Sequence, residues 1–202
     1  MSKILIAGGG IGGLAAALAC AQAGTEVSLF ERASVFAEVG AGVQLSPNVV
    51  RVLHRWGLKQ ALDAVVSVPE QLQIRSAVTG AELGVLRLGD TIQARYGAPY
   101  LTVQRSDLHH VLLGELMRRD QVPLSLNSAL EGFSQSDEGV TLRLRDGSTV
   151  QGDALVGADG GFSLVRQRLL NDGVPTPTGQ LAYRALVAQD SLPAHLRSQH
   201  VT

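Results

Sequence analysis

The chain has 202 residues, 45% of them hydrophobic and 17% charged, enough for a sizeable core in one domain or one and a half and far from a disordered composition. Its 17 Lys and Arg against 18 Asp and Glu give a formal charge of -1, which excludes the basic footprint of a nucleic-acid binder and a polybasic patch for a membrane surface. A single cysteine, Cys20, rules out an internal disulfide framework and suits a reducing, cytoplasmic compartment.

Lys3 to Ala7 is a short apolar run ended by glycines, the pattern of a buried parallel strand. Gly8 to Gly13 follows. Leu14 to Ala23 then predicts an Ala/Leu-rich helix closed by Gly24, and Glu26 to Phe30 a second strand ending at Glu31-Arg32. Together these make one βαβ unit. Ile4 to Gly24 is apolar, but its many glycines and the lack of a strongly basic leader or an A-x-A site argue against a signal peptide or membrane span.

Gly8-Gly9-Gly10-Ile11-Gly12-Gly13 satisfies G-x-G-x-x-G between a strand and a helix. In that setting Gly8 permits the tight turn, Gly10 lets the backbone approach a pyrophosphate, and Gly13 lets the helix pack on the strand. Amides at the helix N-terminus, including those of Ile11 and Gly12, then face the anion. Glu31 closes the second strand, where a carboxylate accepts hydrogen bonds from ribose hydroxyls; the bland alternative is a solvated acid. An acid here also disfavours NADP in this slot, because a 2′-phosphate would meet like charge.

Further along, Val39 to Val43 forms a glycine-bearing loop, and Ser46 with Pro47 predicts a capped helix running to Trp56 and stopped by Gly57. Capping outranks a nucleophilic role for Ser46. Gln71 to Val78 and Ala81 to Leu88, around Thr79-Gly80, predict a β-hairpin. Ser106 is expected to cap a helix reaching about Arg119, with Leu108, Val111, Leu112 and Leu116 as its apolar stripe. From Leu124 to Val156, about three or four strands are expected, broken at Asp137-Glu138-Gly139 and Asp146-Gly147. A buried strand, Ala154 to Gly157, leads into Ala158-Asp159-Gly160. A plain Rossmann domain would continue with alternating strands and helices instead.

These motifs in this order, with Arg105-Ser106-Asp107-Leu108 between them, resemble the group A flavoprotein monooxygenases, the FAD-dependent aromatic hydroxylases. The likeness spans the chain and is strongest to salicylate hydroxylase and 3-hydroxybenzoate 6-hydroxylase. It rests on Glu31 to Asn48, Arg95 to Leu108 and Ala182 to Val187. The fold it implies is α/β: a Rossmann-like FAD-binding fold with an antiparallel β-meander crossover and part of a second, α+β substrate domain. Residues 1–70 and 101–175 would form the FAD-binding domain, 71–100 a substrate-domain hairpin, and 176–202 the start of the rest of that domain.

The resemblance also implies roles. Glu31 would hold the adenosine ribose, with Arg32 near the adenine or its ribose. Ala41, Gly42 and Val43 would bring backbone to the flavin ring, where small residues leave a planar ring room. Arg105 would contact the FAD phosphate or ribitol region, Leu130 would meet adenine through its backbone, and Asp159 would reach hydroxyls near the pyrophosphate and ribityl chain. Taken singly, Arg105 could be a solvated cation and Asp159-Gly160 an ordinary turn. Phe162 stands where the family more often has a small or polar residue.

The partners implied are NADH or NADPH, O2 and a small aromatic substrate; a homodimer is compatible with the family. The alternatives are another flavoprotein oxidoreductase of the same architecture or an inactive dinucleotide-binding module. No residue reads as a general base, and the cofactor would carry the chemistry. A Gly-Asp motif and a Pro-rich segment of longer family chains are not seen, so the chain is expected to be an N-terminal portion with exposed sheet edges. His54, His109 and His110 lie on predicted helices without a metal-ligand set and read as core or surface histidines. Cys20, Trp56 and Met117 fit helix packing; Glu38 reads as a solvated loop acid with a functional role as the alternative, and Arg184, in the strand-like run Leu181 to Val187, is a candidate for attracting an aromatic carboxylate or ordering the second domain.

Overall fold

The computed structural model describes residues 2–36, 42–119, 122–181, 187–194 and 197. Strands β1 (Lys3–Ala7) and β2 (Glu26–Phe30) form at the bounds their apolar runs predict. Between them α1 (Ile11–Gln22) starts earlier than expected, because Ile11, Gly12 and Gly13 are already helical behind the N-cap Gly10. Gly24, at φ +75°, closes the helix, as expected.

Gly42 and Val43, expected in a loop, instead open a strand, β3 (Gly42–Leu45). Helix α2 (Pro47–Arg55) has Pro47 in its first turn and Gly57 at φ +82° behind it, as expected. Ser46 does not cap it through its side chain: its hydroxyl donates to Asn48 Oδ1 at 2.5 Å. There follow α3 (Lys59–Asp63), β4 (Val66–Ser67), the hairpin strands β5 (Gln71–Arg75) and β6 (Glu82–Arg87), and α4 (Gly89–Tyr96). The hairpin strands are shorter than predicted. Ser76 Oγ accepts the N–H groups of Val78 and Thr79, and Ser76 N–H donates to Ala81 O, so that stretch folds on itself instead of pairing.

Next come β7 (Leu101–Gln104) and α5 (Arg105–Arg118). Arg105 is already helical, so Ser106 lies inside the first turn and is not the cap. Leu108, Leu112 and Leu116 are buried and Val111 half-buried, the expected stripe, whereas Met117 is exposed.

The region predicted as three or four strands holds five: β8 (Leu124–Ser125), β9 (Leu130–Ser136), β10 (Gly139–Leu144), β11 (Thr149–Gly152) and β12 (Ala154–Gly157). Gly139 at φ +131° and Gly147 at φ +88° make the turns where the dipeptide signals lie. Helix α6 (Leu164–Leu170) closes the segment.

The chain divides into two compact units, Met1–Glu38 with His109–Leu181, and Val39–Leu108 with Ala182–Thr202. In the first, a parallel sheet has the order β12-β1-β2-β8, and the three-stranded antiparallel meander β9-β10-β11 lies against it. Leu5 and Phe30 from the sheet pack with Val140, Leu142 and Leu144 from the meander. Strand alternation sends Ile6, Val27 and Leu29 to the opposite face, where α1 contributes buried Leu14, Ala17 and Leu18. A parallel sheet with a helix on one face and a meander on the other is a Rossmann-like arrangement in which the meander stands where a further helix would. β12, expected to be buried, is the sheet's edge strand and is half-covered or exposed along its length.

In the second unit β7 is the central strand of an antiparallel β3-β7-β4 sheet, and β5-β6 is a separate ribbon. A cleft of about 340 Å3 there is lined by His54, Lys59, Asp63, Gln93 and Leu101 among others. Among the described residues no helix is long and apolar enough to cross a membrane, and no group of three His, Cys, Asp or Glu could hold a metal ion.

Candidate functional site

The first unit gathers the glycine turn, the end of β2 and the Ala158-Asp159-Gly160 loop at the carboxyl ends of β1, β2 and β12. Gly8 N–H donates to Phe30 O at 2.8 Å and Ala158 N–H to Ala7 O at 2.8 Å, so both neighbouring strands fix where the turn begins. Gly8 sits at φ +110°, and a Cβ added there would lie 2.2 Å from Ala158 O. At Gly13 an added Cβ would lie 1.8 Å from Gly8 O. Those two glycines therefore serve backbone conformation and helix-on-strand packing, as expected. Gly12 is different: an added Cβ would meet nothing within 4 Å, so this position is open.

Gly10 is extended, with φ -73° and ψ -179°, and no side chain caps α1. The first turn of α1 also carries no acidic residue. The positive end of the helix dipole is therefore left uncompensated by the helix itself, which is the electrostatic condition for receiving an anion.

Glu31 is half-buried and already bonded. Its Oε2 accepts Gly9 N–H at 2.6 Å and its Oε1 accepts Ala33 N–H at 2.8 Å. The carboxylate thus ties the glycine turn to the chain leaving β2, a structural role that its position at a strand end does not announce. A carboxylate offers about four lone-pair sites, so capacity for further donors remains. Arg32 is exposed beside it.

Ser128 N–H donates to Glu31 O at 2.8 Å and Asn127 N–H to Ala33 O at 2.9 Å, with Asn127 in the left-handed region at φ 54°. This brings the approach to Leu130 alongside Glu31. Leu130 itself opens β9, and its side chain packs against the Leu5, Phe30 and Leu142 cluster.

Asp159 is held firmly. Its Oδ1 accepts the Ser163 hydroxyl, and its Oδ2 accepts Leu164 N–H at 2.7 Å and Val165 N–H at 3.3 Å. Ser163 Oγ in turn accepts Arg166 N–H at 3.0 Å. Asp159 and Ser163 together cap α6. Sequence reasoning misses Ser163, although a polar residue just before an apolar run is a readable start signal. Phe162 is exposed.

His109, which the sequence marks only as a core or surface histidine, also belongs to this site. It is 2% exposed, and its Nε2 lies 2.8 Å from Gly9 O. His110, its neighbour, is exposed.

Gly42, Val43 and Arg105 belong to the second unit. Gly42 pairs with Gln104 and Val43 with Val103. A Cβ on Gly42 would be in ordinary contact, 3.7 Å from Val103 O, so packing alone does not require glycine there. Arg105 opens α5 and is half-buried. Ala41, Glu38 and Arg184 lie outside the described residues.

Residues 1–194 match the family described as FAD binding domain. The 3-amino-4-hydroxybenzoate 2-monooxygenase of Streptomyces platensis is 41% identical over 192 residues, covering 95% of this chain and 48% of its own. The 3-hydroxybenzoate 6-hydroxylase 1 of Aquipseudomonas alcaligenes is 33% identical over 196 residues, covering 97% and 50%. Among solved structures, Klebsiella pneumoniae HpxO complexed with FAD and uric acid superposes with a TM-score of 0.70 at 27% identity, over 83% of this chain and 41% of that one. The chain spans about half the length of the curated relatives it matches.

Proposed function

Because this chain belongs to the FAD binding domain family, we propose that it forms the cofactor-holding part of an aromatic-ring monooxygenase. One atom of O2 would replace a ring hydrogen as hydroxyl, the other would leave as water, and NADH or NADPH would supply the two electrons. The relatives' names point to a ring carrying a hydroxyl and a carboxylate. FAD, when bound, supplies the electron storage and oxygen activation that no side chain can.

The residues fit that cofactor. The observation that carries the reading is the pair of close approaches at Gly8 and Gly13, which leave no room for side chains where α1 opens without an acidic residue. Gly10, Ile11, Gly12 and Gly13 would hold the diphosphate through backbone amides, with Gly8, its own N–H given to Phe30 O, setting the turn that presents them. Glu31, keeping its bond to Gly9, would accept from the adenosine ribose, with Arg32 and the Leu130 backbone toward the adenine. Asp159 would shape the loop beside Gly8 and accept from ribityl hydroxyls. Ala41, Gly42, Val43 and Arg105 would serve the flavin side. Each of these side chains and amides binds, orients or excludes water; none is assigned a proton transfer.

The test is titration of the purified protein with FAD, followed by quenching of flavin fluorescence. Saturable binding is expected, and Gly13→Ala should weaken it by at least about tenfold, since the new methyl must displace the turn. Protein that stays colourless after refolding with excess FAD would refute the assignment.

A further inference from the structure

His109 lies on α5 with its ring almost wholly buried, beside Phe36 (ring centroids 6.1 Å apart, tilted at 44°) and His110 (6.2 Å, edge-on). Its Nε2 is 2.8 Å from Gly9 O. A carbonyl only accepts, so Nε2 carries the hydrogen. Its Nδ1 is buried and, among the described residues, has no hydrogen-bond partner. An apolar ring would fill this slot without an unmatched Nδ1, but it would leave the buried Gly9 O without a donor. The feature that distinguishes histidine here is therefore the bond to Gly9.

That bond falls at a specific point of the glycine turn. Glu31 holds the N–H of the Gly8–Gly9 peptide, and His109 holds the carbonyl of the next peptide, Gly9–Gly10. The N–H of that second peptide belongs to Gly10, the N-cap of α1. Donation to a peptide carbonyl fixes the plane and, through polarisation along the chain of bonds, makes the N–H on the same unit a stronger donor.

We propose that His109 is a positioning residue for the diphosphate site: as the Nε2-protonated neutral imidazole it clamps the Gly9–Gly10 peptide so that Gly10 N–H is presented to the anion. This rests on the reading of the glycine turn as the FAD diphosphate site. Because the clamp acts on the phosphate end, it serves any ligand with that diphosphate, and ADP is a sufficient probe.

The experiment compares FAD and ADP binding to the full 202-residue chain and to its His109→Phe and His109→Gln variants, by calorimetry. Phe keeps the ring and loses the donor; the Gln amide can offer an N–H at the imidazole Nε2 position. The wild-type chain should bind both ligands, His109→Phe should bind both about tenfold more weakly, and His109→Gln should recover to within about threefold of wild type. Unchanged affinity in His109→Phe overturns the clamp while leaving the cofactor reading intact. Equal loss in both variants assigns the effect to ring packing and also overturns it. Failure of the wild-type chain to bind either ligand overturns the cofactor reading and the clamp with it. Long-range proton–nitrogen spectroscopy of the wild-type imidazole gives a second readout that does not depend on the variants folding: a ring protonated at Nε2 alone is expected, and one protonated at Nδ1 alone contradicts the clamp.

Discussion

Glu31 accepts from Gly9 and Ala33, so its removal must be felt whether or not the cofactor is bound. Glu31→Gln puts an amide where two backbone donors need acceptors. It should lower apo-protein stability by about 2 kcal/mol, the scale of hydrogen bonds to a charged acceptor. Urea unfolding with and without FAD measures this. A variant that loses FAD affinity with an unchanged apo midpoint would show that the carboxylate serves only the ligand.

Asp146 offers a second residue-level test. The Ser148 hydroxyl at 2.6 Å and the Ser148 N–H at 2.9 Å both donate to its Oδ1, and these bonds hold its carboxyl below the usual aspartate range. A depressed folded-state value means the turn gains stability above the unfolded value and loses it as pH falls through the folded one. Carbon-detected NMR titration should find Asp146 titrating low, and Ser148→Ala should move it upward. An unmoved titration in that variant would assign the shift elsewhere.

Among the elements, α5 carries a buried acid that no pattern in the sequence announces. Glu115 is 9% exposed and paired with both Arg118 and Arg119, the latter at 2.9 Å. Glu115→Ala leaves Arg119, itself only partly exposed, without its partner, and a loss of about 2 kcal/mol is expected in thermal or urea unfolding. The elements legible in advance are those with local signatures. β1 and β12 are short apolar runs and β2 an apolar stretch broken only by Ser28, each bounded by turn residues, and the β-meander is punctuated by Asp-Glu-Gly and Asp-Gly. The strands missed are short ones paired far along the chain, β3 with β7; β8 falls where strand is expected from Leu124, but its place beside β2 is not foreseen. α4 could have been found, since Asp90 stands in its first turn and Gly97 follows in the left-handed region at φ 70°.

The candidate site divides along the same line. Gly8, Gly13 and Glu31 announce themselves by spacing, because one βαβ unit fixes all three. The His109 bond to Gly9 spans 100 residues, and the Asp159 cap depends on a helix that begins only at Leu164. No local pattern encodes the first, and the second requires Ser163 to be recognised as a helix start.

Across the whole molecule, surface composition bears on association. The β5-β6 ribbon exposes Ile74, Leu83 and Leu86, with Leu83 at 68%. Apolar side chains along a two-stranded ribbon favour contact between copies. Light scattering should show concentration-dependent self-association, and Leu83→Lys with Leu86→Lys should reduce it while leaving FAD titration unchanged. A monodisperse wild-type chain at high concentration would count against this surface as sticky.

β1 pairs along its length with β12: Asp153 N–H meets Lys3 O at 2.8 Å, and Ala7 is aligned with Gly157. The wall that Gly8 presses against is thus supplied by Ala158. On a ribosome making residues in order, β1 gains its β2 neighbour early and its β12 neighbour only once Gly157 has been made. Nascent chains arrested before β12 has left the exit tunnel should fail to retain flavin, and longer ones should capture it, so acquisition of the cofactor would wait on a strand far along the chain from the glycine turn that receives it.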